Sequence, residues 1–170
     1  ALVDELVSAG SFSTVIRASR RAIDPRPGCD WVYLDVEDES SISKAALEVT
    51  QKYGRLDLLI NTVGFLHGAD HVPEKKLDDL DSTRLQRSFA INATGPALIF
   101  KHFHRLFRHT RHSVMATLSA RVGSISDNGL GGWYGYRASK AAQNQITRTV
   151  AIEMARKAPQ CVVVALHPGT

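Results

Sequence analysis

Tyr136 and Lys140 stand four residues apart in Tyr-Arg-Ala-Ser-Lys, at the head of a stretch whose apolar residues recur at helical spacing. On a helix, positions i and i+4 share a face, so the phenol and the ammonium are neighbours. A phenol with a pKa of about 10 handles protons poorly at neutral pH, but a nearby cation favours the phenolate and lowers that pKa. The pair is therefore a candidate proton-transfer unit. Tyr-x-x-x-Lys alone also describes many solvated helix faces, so the surroundings decide.

Strands and helices alternate around this pair. Residues 1–9 read as the end of a helix stopped by Gly10, and Thr14-Val15-Ile16 as a β-branched strand followed by a basic loop over residues 17–28. A second strand covers 31–34, and Ile42, Ala45, Ala46, Val49 and Tyr53 mark a helix closed by Gly54. A third strand spans 56–60, with loop from 64 to 79. Residues 85–107 read as one long helix running through Gly95-Pro96. A fourth strand covers 114–118, and Ala138, Ala142, Ile146, Val150 and Met154 form a helical stripe. A fifth strand covers 161–166, ended by Pro168-Gly169. This order predicts an α/β fold, a doubly wound parallel sheet of Rossmann-like type, as a single domain over residues 1–170. Ligands of such sheets bind beyond the carboxyl ends of the strands. The residues found there are Arg20, Asp35, the segment 61–64, Ser119 and the segment 167–169.

Composition narrows the classes. The 170 residues are 44% hydrophobic and 22% charged, enough for a buried core and unlike a disordered chain. No apolar run approaches the roughly 18 residues a membrane helix needs, and no charged-then-apolar leader stands at the start. Cys29 and Cys161 lie far apart, which excludes a disulfide framework and a zinc finger and predicts a cytoplasmic protein. The net charge of +4 raises nucleic acid as a partner, especially since residues 82–126 contain arginines, lysine and histidines but no carboxylate. Phe100, Phe103 and Phe107 sit at core spacing rather than interleaved for stacking, so no nucleic-acid partner is expected. His102 and His104 are two apart and do not share a helix face, and His109 and His112 have no acidic neighbour. No metal site is expected. His67, His71 and His167 read as loop or structural residues.

With these motifs in this order, the chain resembles the short-chain dehydrogenase/reductase family over nearly its whole length. Residues 136–140 resemble that family's YxxSK core, Asn61-Thr62-Val63-Gly64 its NNAG segment, and Asp35-Val36 the pair after the strand that borders the adenine. Asn92 matches its helix-embedded asparagine, and Pro168-Gly169 its PG turn. The stretch from Gly123 to Tyr136 looks most like the C-factor/sniffer-type carbonyl reductases. The resemblance implies NAD(P)(H)-dependent hydride transfer between a carbonyl and an alcohol on a small-molecule substrate. Tyr136 would move the proton, and Lys140 would lower its pKa and hold the nicotinamide ribose. Asn92 would steady a relay water; the alternative for Asn92 is a helix-interior polar residue bonded to a main-chain carbonyl. Asp35, Val36, Asn61, Val63, Gly64, Pro168 and Gly169 would line the cofactor.

The chain departs from the family pattern in two places. The family's substrate-orienting serine stands three residues before a glycine. Counting from Gly123 lands on Ala120, so Ser119 is one residue early, with Ser124 as a substitute. A one-residue slip on a strand reverses the side chain's face unless a bulge intervenes. The glycine-rich turn that cradles the pyrophosphate is not in these residues, and neither are the first strand and the C-terminal segment. The expectation is therefore a domain incomplete at both ends, with an open sheet edge. In this fold an acidic residue after the second strand binds the NAD ribose, while arginine takes the NADP phosphate. The sequence there is Ala18-Ser19-Arg20-Arg21, so NADP(H) is favoured over NAD(H) through Arg20. A non-catalytic NADP(H)-sensing protein on the same fold is the alternative to an enzyme. The helices over 85–107 and 133–157 correspond to those that pack subunits together in this family, implying a homodimer or homotetramer.

Overall fold

Among the described residues, short β-branched and apolar runs form five strands, which pair with one another in parallel. β1 (Val15–Ser19) pairs with β2 (Cys29–Tyr33), and β3 (Leu58–Asn61), β4 (Ser113–Leu118) and β5 (Cys161–Leu166) form a second sheet in that order. Met115, Ala116 and Thr117 of β4 are all buried, as expected for a middle strand covered on both faces. The helices are α1 (Leu2–Ser8), α2 (Glu39–Tyr53), α3 (Ser82–Phe89), α4 (Gly95–Phe103) and α5 (Tyr134–Lys157). The computed structural model describes residues 2–169, so Ala1 of the expected first helix lies outside the described residues.

α2 shows how local sequence sets an element. Asp38 accepts the Ser40 N–H at 2.9 Å to open it, and Gly54 at φ 72° closes it. Ile42, Ala45, Ala46 and Val49 form its buried stripe. That stripe joins a core containing Phe100, Phe103, Phe107, Met115 and Met154.

The doubly wound parallel arrangement expected from the alternation is present, with its strands hydrogen-bonded as two groups, β1–β2 and β3–β4–β5. The chain winds outward from β1 to β2, returns to β3, and then winds the other way through β4 and β5. β1 and β3 both border a cleft of about 380 Å³, lined also by Leu2 and Leu6 of α1 and by Phe103. The reversal of winding falls at this cleft, and a ligand of an open α/β sheet sits at the carboxyl end of such a switch point.

The helix expected over 85–107 is also corrected. α3 runs into a π-helical turn (Ala90–Thr94), then α4, then a 3₁₀ turn (His104–Phe107). Residue 96 is proline, which has no N–H for the carbonyl of Asn92 four residues before it, so the regular ladder breaks there. Gly95 follows the π turn because α4 lies hard against the end of β2: a Cβ on Gly95 would stand 2.9 Å from Val36 Cβ.

Candidate active site

Tyr136, Ser139 and Lys140 are carried by the first turns of α5. The helix starts after Trp133, which adopts a left-handed backbone (φ 52°) and supplies no side-chain cap. Glu74, buried and 61 residues away, substitutes: its carboxylate accepts the Gly135 N–H at 3.2 Å, and its carbonyl accepts the Trp133 N–H. A carboxylate at a helix N-terminus satisfies an orphan donor and opposes the positive end of the helix dipole.

Lys140 is 2% exposed. Its ammonium donates to the Leu118 carbonyl and to Gln143 Oε1, each at 2.8 Å. Burial lowers its pKa to about 8. The ammonium lies 5.9 Å from the centre of the Tyr136 ring, and burial pushes that phenol above its ordinary range. The lowering of the tyrosine pKa by its neighbour, expected from the spacing, is therefore not seen. The ammonium is drawn toward the sheet by its two acceptors, while the half-buried phenol loses solvation that its anion would need.

Asn92 lies in the π turn, fully buried. It accepts the Phe65 N–H at 2.7 Å and donates to the Phe65 carbonyl at 2.8 Å and to Ser139 Oγ at 3.1 Å. Ser139 Oγ donates in turn to the Tyr136 carbonyl at 3.0 Å. Asn92 thus ties the loop after β3 to the start of α5. A second network runs beneath Lys140. Asn61 Nδ2 donates to Thr117 Oγ1 at 3.2 Å, and Gln143 Nε2 donates to the same Thr117 oxygen. Asn61 Oδ1 also accepts the Val63 N–H at 3.1 Å, shaping the turn to Gly64. A Cβ added to Gly64 would lie 3.6 Å from Lys140 Nζ, so the backbone after β3 runs in contact range of the ammonium.

The remaining candidates sit at the same carboxyl ends but are engaged differently. Ser119 donates to Asn144 Oδ1 at 2.6 Å, not toward Tyr136. Eight residues of helix separate Asn144 from Tyr136, roughly 12 Å along the axis. The Ser119 N–H continues the ladder to the Leu166 carbonyl at 2.7 Å, so strand alternation persists through it and no bulge turns its side chain. Ser124 lies within hydrogen-bond reach of Ser126 Oγ, at 3.3 Å. The Asp35 carboxylate accepts the Glu37 N–H at 3.0 Å and shapes its own turn, and Val36 is buried against Gly95. Arg20 extends into solvent 3.9 Å from Glu37. Pro168 and Gly169 lie exposed after β5, where the Gly169 N–H donates to His167 Nδ1 at 3.1 Å. His71 is buried beside Ser88, and His102 reaches Glu39 at 3.0 Å. Among the described residues no three His, Cys, Asp or Glu side chains are grouped to hold a metal, and no helix is long and apolar enough to cross a membrane.

Glu74, Thr117, Gln143 and Ser139 are the site residues that sequence reasoning missed. Ser139 and Gln143 were reachable, since both stand three residues from a named partner on one helix. Glu74 and Thr117 act across long sequence separations, and no local spacing marks them.

The chain is similar to known proteins over most of its length. A family model described as enoyl-(acyl carrier protein) reductase matches residues 11–169. The C-signal of Myxococcus xanthus is 34% identical over 116 residues, covering 68% of this chain and 66% of that protein. The short-chain dehydrogenase fogD of Aspergillus ruber is 30% identical over 164 residues, covering 91% of this chain and 52% of that protein. The chain thus spans between half and two thirds of the length of these two relatives. The crystal structure of an NADPH-bound carbonyl reductase from chicken fatty liver matches with a TM-score of 0.85 at 25% identity, over 99% of this chain and 73% of that one. The parallel strands wound in two directions, the Tyr136–Lys140 pair at their carboxyl ends and these matches have one explanation: the chain belongs to the short-chain dehydrogenase/reductase family of oxidoreductases.

Proposed function

We propose that the chain is the nucleotide-binding and proton-handling part of an NADP(H)-dependent oxidoreductase that interconverts a small-molecule carbonyl and an alcohol. The observation that carries this reading is the half-buried Tyr136 beside a buried Lys140 at the carboxyl end of β4. Burial raises the phenol's pKa, so at neutral pH it holds its proton and can donate it to a carbonyl oxygen. Lys140 supplies positive charge next to the anion left behind. Asn92 joins the relay: Pro96 gives its carbonyl no helical donor, which suits that oxygen to hold a water between Lys140 and solvent.

The residues present suit a nicotinamide nucleotide, which when bound would give or take the hydride. Gly64 lies beside the ammonium, which has a third N–H beyond the two used on Leu118 and Gln143 and could offer it to ribose hydroxyls. Asp35, Val36, Asn61, Val63, Pro168 and Gly169 border the same carboxyl ends. Arg20 stands exposed after β1, in a long ion pair with Glu37 at 3.9 Å, where a planar guanidinium suits a 2′-phosphate. The apolar cleft between β1 and β3 is the proposed seat of a further parallel strand, making residues 1–170 part of one nucleotide-binding domain. The helical segments over 85–107 and 133–157, which contain α3, α4 and α5, are proposed to pack subunits into a dimer or tetramer in the cytoplasm.

Tyr136→Phe tests the reading directly. Turnover of carbonyl substrates should fall by about 10²–10⁴-fold while NADPH binding, followed by fluorescence titration, stays within twofold. Reduction by the unaltered protein should decline as pH rises past about 8, because the Lys140 ammonium is lost there. A Tyr136→Phe protein that keeps its turnover overturns the enzyme reading. The second reading, a non-catalytic sensor of the same nucleotide, is favoured by Ser119 being tied to Asn144 instead of facing Tyr136. Nucleotide binding without turnover in the unaltered protein would establish it.

A further inference from the structure

We infer that Gln143 is a positioning residue for Lys140: its side-chain oxygen, with the Leu118 carbonyl, holds the ammonium on the sheet side of α5 and sets its reach toward Tyr136. The inference rests on the proposed role of the Tyr136–Lys140 pair, but its geometry stands by itself. Gln143 is 1% exposed, one helical turn beyond Lys140. An uncharged amide with four hydrogen-bonding sites is costly to bury unless they are used.

The amide has one orientation that satisfies its neighbours. Lys140 Nζ can only donate, so the atom facing it must be the oxygen. The nitrogen then faces Thr117 Oγ1 and the Leu118 carbonyl, the latter at 3.3 Å, and both accept. Reversing the amide would place NH₂ against an ammonium and oxygen against a carbonyl. Thr117 also accepts from Asn61, so the amide is locked from behind by the strand that shapes the turn to Gly64. Movement of that turn is therefore transmitted through Asn61, Thr117 and Gln143 to the ammonium.

The groups facing Lys140 are Tyr136 on its own helix, Gly64 after β3, and the Leu118 carbonyl of β4. Burial lowers its pKa, and the two oxygens that accept from it are the partners that offset its lost hydration. Removing one of them should disfavour the ammonium, and replacing the amide by a carboxylate should favour it.

The test uses the full-length enzyme with Gln143→Leu and Gln143→Glu. The ionisation of Lys140 is read from the NMR shift of its Cε in lysine-labelled protein across a pH series, beside the pH profile of carbonyl reduction. A hydrogen bond to a charged group corresponds to a shift of about one pH unit. Gln143→Leu should move both midpoints down by about that amount, and Gln143→Glu should move both up. Shifts in the same direction for both variants, or no shift in Gln143→Glu, would overturn the inference. If Gln143→Leu does not fold, the sign of the Gln143→Glu shift decides alone. Should Tyr136 prove dispensable for turnover, the NMR midpoints still report on Gln143, so the two failures are distinguishable.

Discussion

The two halves of the carboxyl-end face are built on opposite principles. On the α5 side, Asn61, Asn92, Thr117, Ser139, Lys140 and Gln143 are all buried and bonded to one another or to backbone. On the β1–β2 side, Arg20 lies in water, its side chain 63% exposed, and the Asp35 carboxylate does no more than shape its own turn. Moving a proton requires donor, acceptor and charge at fixed distances, and a low-dielectric interior strengthens each interaction. Recognising a phosphate requires only a cation within reach, which a flexible surface arginine provides at the cost of screening by salt. Under the proposed reading, rigidity follows the chemistry and not the fold, since both halves rest on parallel strands.

Substitutions can break or sharpen that contrast. The largest effect on stability should come from Asn92→Ala, which leaves the Phe65 N–H and carbonyl buried without partners. About 3 kcal/mol should be lost in urea unfolding, from two unsatisfied groups at about 1–3 kcal/mol each. A loss below about 1 kcal/mol would mean that the buried half is less fixed than its hydrogen bonds imply. Gly95→Ala should come next. The added methyl improves helix propensity by about 1 kcal/mol but meets Val36 at 2.9 Å, and overpacking costs about 1–3 kcal/mol. A net loss of about 1 kcal/mol is expected in thermal unfolding, and a gain would show that α4 has room to retreat from β2. Arg20→Ala should leave stability unchanged and raise the KM for NADPH about tenfold, with the KM for NADH unaltered. That preference should shrink as salt is raised, and an equal rise for both nucleotides would remove Arg20 from phosphate recognition.

Much of this architecture is legible in the chain itself because its signals are local. Helical stripes such as Ile42, Ala45, Ala46 and Val49, and apolar runs such as Val162 to Val164, report their own periodicity. The pairing of Tyr136 with Lys140 is a matter of helical pitch. What escapes is whatever depends on distant contacts. The residues over 85–107 carry a continuous apolar rhythm, so the π turn at Asn92 is hidden unless the missing N–H of Pro96 is followed back four places. Ser119 stands one residue from the family's position, and only the uninterrupted ladder to Leu166 shows that its hydroxyl turns to Asn144. Glu74 is a loop carboxylate in sequence and a helix cap in space.

The sequence by itself determined the alternation of strands and helices, the family, and which side chains gather at the carboxyl ends, because period, turn chemistry and motif spacing are properties of a few consecutive residues. The tertiary structure alone decided that the sheet divides between β1 and β3, that Lys140 leans on Gln143 and Leu118 instead of the phenol, and that burial raises the Tyr136 pKa. Those outcomes depend on which groups lose water and which acceptors they then meet, and desolvation exists only once the chain has packed.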